Sequence, residues 1–155
     1  MSASLALVTV LYHSADVLEG FFASLAKQSF QDFDLYIIDN SPDDLSYRAT
    51  EECMSRYQVG QKIHLIKNAK NVGVAAGNNQ GIEAALKTDA QYIGLVNNDI
   101  EFHQTDLLDG MLKKCKTAHL VIPKMLYFDS KKIWCAGGGF KPLQGITVHY
   151  GNHAK

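Results

Sequence analysis

The chain has few cysteines, no surplus of either charge and no long hydrophobic run. Cys53, Cys115 and Cys135 are an odd number, widely separated, and none sits in a CxxC or Cys/His ligand spacing. That argues against a disulfide framework or a structural zinc site and fits a reducing compartment. Fifteen Lys and Arg against sixteen Asp and Glu leave a formal net charge of −1. Such a balance gives no electrostatic case for nucleic acid, so any anionic ligand must be held by local groups. The apolar N-terminal run Leu5-Ala6-Leu7-Val8 lacks a basic flank, is too short to span a bilayer, and reads as a buried strand. The expected location is cytoplasmic, with association at the inner face of a membrane left open. Two nucleotide motifs are also missing. The first predicted strand is followed by Tyr12 to Asp16, which contain no glycine, and no Gly-Lys-Ser/Thr occurs. A dinucleotide fingerprint and a P-loop are therefore both excluded.

What is present is the composition of one ordinary folded domain, residues 1–155, with 46% apolar and 20% charged residues. Strand and helix patterns alternate. Apolar runs at 5–12, 33–38, 63–67 and 92–96 predict strands; stretches at 17–28, 74–86 and 105–115, and a polar one at 45–57, predict helices. Leu120-Val121-Ile122, stopped by Pro123, predicts a further strand, followed by short strands at 125–128, 133–135 and 146–150. Alternation of this kind predicts right-handed crossovers and a mostly parallel sheet flanked by helices. Ligands bind such sheets at the carboxyl ends of the strands.

The residues following each predicted strand carry the functional signal. They are Tyr12-His13-Ser14, Asp39-Asn40-Ser41, Asn68 to Gly73 and Asn97-Asn98-Asp99. Any one of these clusters is ordinary turn chemistry, but in a parallel sheet all four fall on one edge. Asp99 is a strand-end carboxylate flanked by amides, suited to a divalent cation that bridges two phosphates. Asp39 is placed to accept a hydrogen bond from a base or a ribose hydroxyl. Gly73 opens a helix whose N–H groups can face an anion, with Asn71 and Asn78 or Asn79 as additional amide donors. Gly73, Gly77 and Gly81 recur at four-residue spacing; inside a helix each glycine costs about 1 kcal/mol relative to alanine, and close packing on the sheet is the plain explanation. Trp134 and Gly137-Gly138-Gly139-Phe140 suggest either a ligand-covering loop or a simple chain reversal.

The segments VTVLYHSADVLEGFFASLAKQSF, LYIIDNSPDD, NVGVAAGNNQGI, YIGLVNNDIEF and IWCAGGGFKPLQG together resemble the inverting family 2 glycosyltransferases of the GT-A fold, within them the rhamnosyltransferase-like branch. The resemblance implies a nucleoside pocket lined by Tyr12, His13 and Asp39, His13 standing where the family often has Asn. It puts Asn71 and Gly73 beside the ribose and diphosphate, and Asn79 is counted with them as a nucleotide-binding candidate. It sets Asn97 and Asn98 with Asp99 in the place of the D-x-D motif, with Asp99 as the ligand of Mg²⁺ or Mn²⁺. The implied donor is a UDP- or dTDP-sugar and the acceptor a saccharide or lipid-linked hydroxyl, in bacterial surface polysaccharide synthesis.

Inverting transfer needs a general base for the acceptor hydroxyl. The family supplies it from an E-D pair downstream of the glycine-rich stretch, whereas Glu101 and Asp129 lie in no matching motif here. The expectation is the donor-binding portion of a GT-A domain truncated on its C-terminal side, with a homodimer through an uncovered sheet edge as a further expectation. The competing readings are a non-catalytic module that binds a nucleotide sugar or a partner protein, and, last, a nucleotidyltransferase, which usually carries a basic glycine-rich loop after the first strand.

Overall fold

The structure is a computed structural model that describes residues 4–154. The chain divides into two compact units, Met1–Asp106 and Leu107–Lys155. The first holds β1 (Leu5–Leu11), α1 (Leu18–Leu25), β2 (Phe33–Asp39), α2 (Leu45–Arg56), β3 (Lys62–Lys67), α3 (Val74–Ala85) and β4 (Tyr92–Leu95). All strand pairs are parallel and the order is β3-β2-β1-β4.

That order follows from the two kinds of sequence seen in the strands. β1 and β2 are nearly continuous in apolar residues, and they occupy the centre, where both faces are covered. β3, which reads KIHLIK, and the four-residue β4 are the edges. The chain runs outward from β1 to β3 and then returns through α3 to the other side of β1. Right-handed crossovers consequently put α1 and α2 on one face and α3 on the other. In agreement, α1 packs with α2, and α3 packs with β1 and β2. Leu18, Phe21, Phe22 and Leu25 project from α1 and are almost completely buried. On the opposite face Gly77, Gly81 and Ala85 are the buried residues of α3. A Cβ on Gly81 would run into Val8 Cγ1, and one on Gly77 would lie 3.0 Å from both methyls of Val10. The glycine spacing is thus a packing device for close approach of α3 to β1.

The second unit holds α4 (Leu107–Cys115) and four short strands: β5 (Met125–Leu126) pairs antiparallel with β6 (Ile133–Cys135), and β7 (Gly138–Lys141) with β8 (Ile146–His149). The predicted strand at 120–122 is absent. Those residues are irregular, Leu120 and Ile122 are exposed, and among the described residues no strand pairs with them. The glycine run is not a free loop: Gly138 to Lys141 form β7. Among the described residues no helix is long and apolar enough to cross a membrane.

Candidate functional site at the carboxyl edge

The order in which strands are added reverses at β1, with β2 on one side and β4 on the other, so the sheet has its topological switch point between β1 and β4, and the groups following those two strands border a crevice. The cleft, of about 240 Å³, is lined by Val10, Tyr12, Ser14, Asn97, Asn98 and Asp99. Tyr12, Asn97 and Asp99 are exposed in it. Asn98 Nδ2 donates to Val10 O (3.0 Å) and to Ser14 Oγ (2.8 Å). Both donors of that amide are spent on joining the two strand ends, which leaves Asn97 and Asp99 as the groups free to turn toward a ligand.

The wall carrying Tyr12 is held from β2. His13 has a left-handed backbone (φ 50°), its N–H donates to Ser41 Oγ (3.0 Å), and its Nδ1 lies 3.3 Å from Asp43 Oδ2. Ser14 N–H donates to Ser46 Oγ (2.8 Å), and the Tyr12 and His13 rings meet edge to face at 4.4 Å. A non-glycine residue in this conformation is uncommon and needs such partners to persist.

Asp39 is completely buried. Its Oδ1 accepts from Ser41 N–H (2.8 Å) and its Oδ2 from Lys67 Nζ (3.1 Å). Lys67 also donates to the Asp43 carbonyl and lies 3.4 Å from Asp44 Oδ1. Burial opposes the Lys67 charge, but hydrogen bonds and charge from Asp39 and Asp44 outweigh it, and the pKa is raised. Placed this way, Asp39 anchors the 39–44 loop and is closed to a base in this conformation. Amides behind it extend the brace: Asn40 Nδ2 donates to Gly73 O (3.2 Å), Asn68 Nδ2 donates to Asn40 Oδ1 (2.8 Å), and Asn68 and Gln80 exchange hydrogen bonds of 2.7 and 3.1 Å.

At the start of α3, Gly73 has φ 84°, a conformation that favours glycine, and its N–H is taken by Asn71 Oδ1 at 2.8 Å. That amide hydrogen is therefore engaged within the loop. Asn79 is exposed, and it lies two residues, or about 200°, round the helix from the sheet-facing Gly77. It stands on the far side of α3 from the sheet.

Of the residues singled out in the sequence, Tyr12, Asn97, Asn98 and Asp99 come together in one cleft, and His13 and Asp39 lie in its supporting wall. Asn71 and Gly73 form a neighbouring turn, and Asn79 is outside it. The sequence reading missed the bracing roles of Asn40, Ser46, Lys67, Asn68 and Gln80. The signal was the pair of amides, Asn40 and Asn68, each directly following a strand.

A divalent cation is consistent with the residues present. Among the described residues no group of three or more His, Cys, Asp or Glu could hold a metal by themselves. A magnesium-type site, however, takes one or two carboxylates and completes its shell with phosphate oxygens and water. Asp99, aided by Asn97, would be the protein's contribution.

Residues 6–137 match Glycosyl transferase family 2. The chain belongs to that family. A search of curated proteins finds no match. Solved structures share the GT-A architecture of a parallel sheet flanked by helices. A mannosyltransferase, PcManGT from Pyrobaculum calidifontis, in complex with GDP-Man and Mn²⁺, superimposes with TM-score 0.62 at 14% identity, over 73% of this chain and 32% of that one. TarS 1–349 of S. aureus in complex with UDP gives 0.60 at 15% identity, over 81% and 40%. The same protein with UDP-GlcNAc gives 0.60 and 15%, over 81% and 38%. This family 2 chain therefore spans well under half the length of the solved glycosyltransferases it matches.

Proposed function

We propose that this chain forms the donor site of an inverting glycosyltransferase of the rhamnosyltransferase-like branch, binding the diphosphate of a UDP- or dTDP-sugar between the ends of β1 and β4. The whole protein would transfer the sugar to a hydroxyl of a saccharide or lipid-linked acceptor in bacterial surface polysaccharide synthesis, in the cytoplasm at the inner face of the membrane. The observation that carries this reading is the cleft at the switch point, where Tyr12, Asn97 and Asp99 are exposed together in a family 2 chain. The neighbours solved with GDP-Man and Mn²⁺, UDP and UDP-GlcNAc support a nucleotide sugar and a divalent metal.

Tyr12 offers a ring face and a hydroxyl to the nucleoside, and His13, held by Asp43, keeps that wall in place. Asp99 and Asn97 hold the cation, which when bound neutralises the charge that develops on the leaving diphosphate. Asn98 fixes the spacing between the two strand ends. The cleft contains a single carboxylate. With Asp99 committed to a cation, no second one among the lining residues can deprotonate an acceptor. Glu101 is not among the lining residues, and its carboxylate lies over Gly20 of α1. This favours a second reading for the chain by itself: a donor-binding module without transfer activity. A homodimer through the β4 edge, where Ile93 and Leu95 are exposed, belongs with the same proposal.

Calorimetric titration with UDP and dTDP, with and without Mn²⁺, tests the site. Metal-dependent binding that Asp99→Ala weakens at least about tenfold, a loss of about 1.4 kcal/mol, is expected. Equal affinity with and without metal, or an unaffected Asp99→Ala, would remove the assignment. Binding without sugar transfer would select the second reading.

A further inference from the structure

The balanced charge of the whole chain hides an uneven partition. Residues 107–155 hold eight of the fifteen Lys and Arg but two of the sixteen Asp and Glu, a net charge of +6, whereas residues 1–106 carry −7. All seven lysines described in the second unit are exposed. The two carboxylates are Asp109 and Asp129.

Within this basic unit the β7–β8 hairpin ends in an apolar tip. Phe140 is 61% exposed, Ile146 47%, and Leu143 at the apex is fully exposed. Phe140 pairs with Thr147 and Lys141 with Ile146, so Phe140 and Ile146 lie on opposite faces of the hairpin and flank Leu143 on both sides. Turn geometry accounts for Gly145, which has φ 64°, but makes no demand for leucine at 143, where polar residues are usual. From Phe140 to Ile146 the only charge is Lys141.

We propose that the second unit docks on an anionic lipid surface, with Leu143, Phe140 and Ile146 entering the headgroup region, Lys141 beside them pairing with lipid phosphates, and the unit's net charge of +6 drawing it to that surface. An exposed aliphatic apex gains by leaving water, and each lysine near an anionic bilayer raises partition about fivefold. Either feature alone gives weak adsorption; a few apolar residues together with a polybasic patch reinforce one another. The partner is a membrane and not a nucleic acid because the fully exposed apex residue, Leu143, and its neighbour Ile146 are aliphatic and leave Phe140 as the one ring of the tip, whereas single-stranded nucleic acid is bound on successive aromatic platforms. The inference gives a physical means to the inner-face placement proposed above and rests on it. Its readout needs no nucleotide, so failure here and failure of donor binding are separate results.

The test is co-sedimentation of the full chain with phosphatidylcholine vesicles, with and without about 30 mol% phosphatidylglycerol, at about 0.1 M and 0.5 M salt. Binding at least about tenfold tighter to the anionic vesicles, and weakened at the higher salt, is expected. Lys141→Ala should reduce it about fivefold, and Leu143→Ser about tenfold, with unchanged far-UV circular dichroism because both positions are exposed. Equal partition onto neutral and anionic vesicles overturns the proposal, as does indifference to either variant. Binding of a random-sequence duplex oligonucleotide without vesicle binding overturns it too.

Discussion

An ammonium group has three donors, and at Lys67 each has an acceptor: Asp39 Oδ2, the Asp43 carbonyl and Asp44 Oδ1. The residue is therefore a pin for the 39–44 loop, and through Ser41 and Asp43 it supports the left-handed His13. Its most costly partner is Asp39, whose carboxylate has no exposure to water. Removing one member of a buried pair leaves an uncompensated charge, typically at 3–5 kcal/mol; since Lys67 is itself partly exposed, about 2–3 kcal/mol is the expected loss for Lys67→Met. Urea denaturation measures it. Asp39→Asn combined with Lys67→Met should recover at least half the loss, because the orphaned charge is gone. A double variant no more stable than Lys67→Met would show that the cost does not arise from Asp39. The same residues show where single-residue reading stops. Asp39 and Asn98 were marked by their position after a strand, and that position is real. Whether such a group faces a ligand or braces a loop depends on partners 28 or 88 residues away, which spacing along the chain does not reveal.

The glycines separate two kinds of helix contact. In α3, a methyl on Gly81 would strike Val8 Cγ1, a short branched side chain fixed in the central strand. In α1, a methyl on Gly20 would meet chiefly the carboxylate end of Glu101, a long side chain that can move. Alanine gains about 1 kcal/mol over glycine in a helix interior at either position. Overpacking costs about 1–3 kcal/mol where the neighbour cannot yield. Gly81→Ala should accordingly range from neutral to destabilising by about 2 kcal/mol, and Gly20→Ala should be neutral or stabilising by up to about 1 kcal/mol, both read from denaturant midpoints. A stabilising Gly81→Ala would mean that α3 can shift away from β1 at little cost. Elements with this much packing were legible in the sequence. β1 and β2 are long, apolar and buried, and the helices between them repeat their apolar residues at helical spacing. Beyond Cys115 the reading weakened because strands of two to four residues show too few alternations to define a period. Leu120-Val121-Ile122 has strand composition, but composition supplies no partner strand.

Across the whole molecule, two ionic clusters contribute to how stability responds to pH, alongside Tyr36 and Cys53, whose pKa values are raised chiefly by burial. Glu19 in α1 accepts hydrogen bonds from the Tyr57 hydroxyl and from Arg56 Nη1 (2.7 Å), tying α1 to the end of α2. The Tyr57 bond, and after it the Arg56 bond and charge, hold the Glu19 pKa below its ordinary 4.5 despite an opposing effect of burial. The unfolded chain therefore takes up a proton there before the folded one does, and this contribution, present above about 4.5, is lost as pH falls through the lower folded value. Lys67 and Tyr57 are shifted the other way. Tyr57 is raised above 10.0, first by its bond to Glu19, and Lys67 above 10.5. Their contributions are complete below those ordinary values and disappear as pH rises through the folded ones. The urea midpoint should thus be nearly flat between about pH 6 and pH 9 and fall on both sides. Glu19→Gln should flatten the acid fall and also remove the Tyr57 part of the alkaline one, since both depend on the same carboxylate. Lys67→Met should reduce the alkaline limb, where the Lys67 contribution is lost. If Glu19→Gln keeps the wild-type profile below pH 4.5, other carboxylates control the acid transition and the α1–α2 clamp contributes nothing measurable to it.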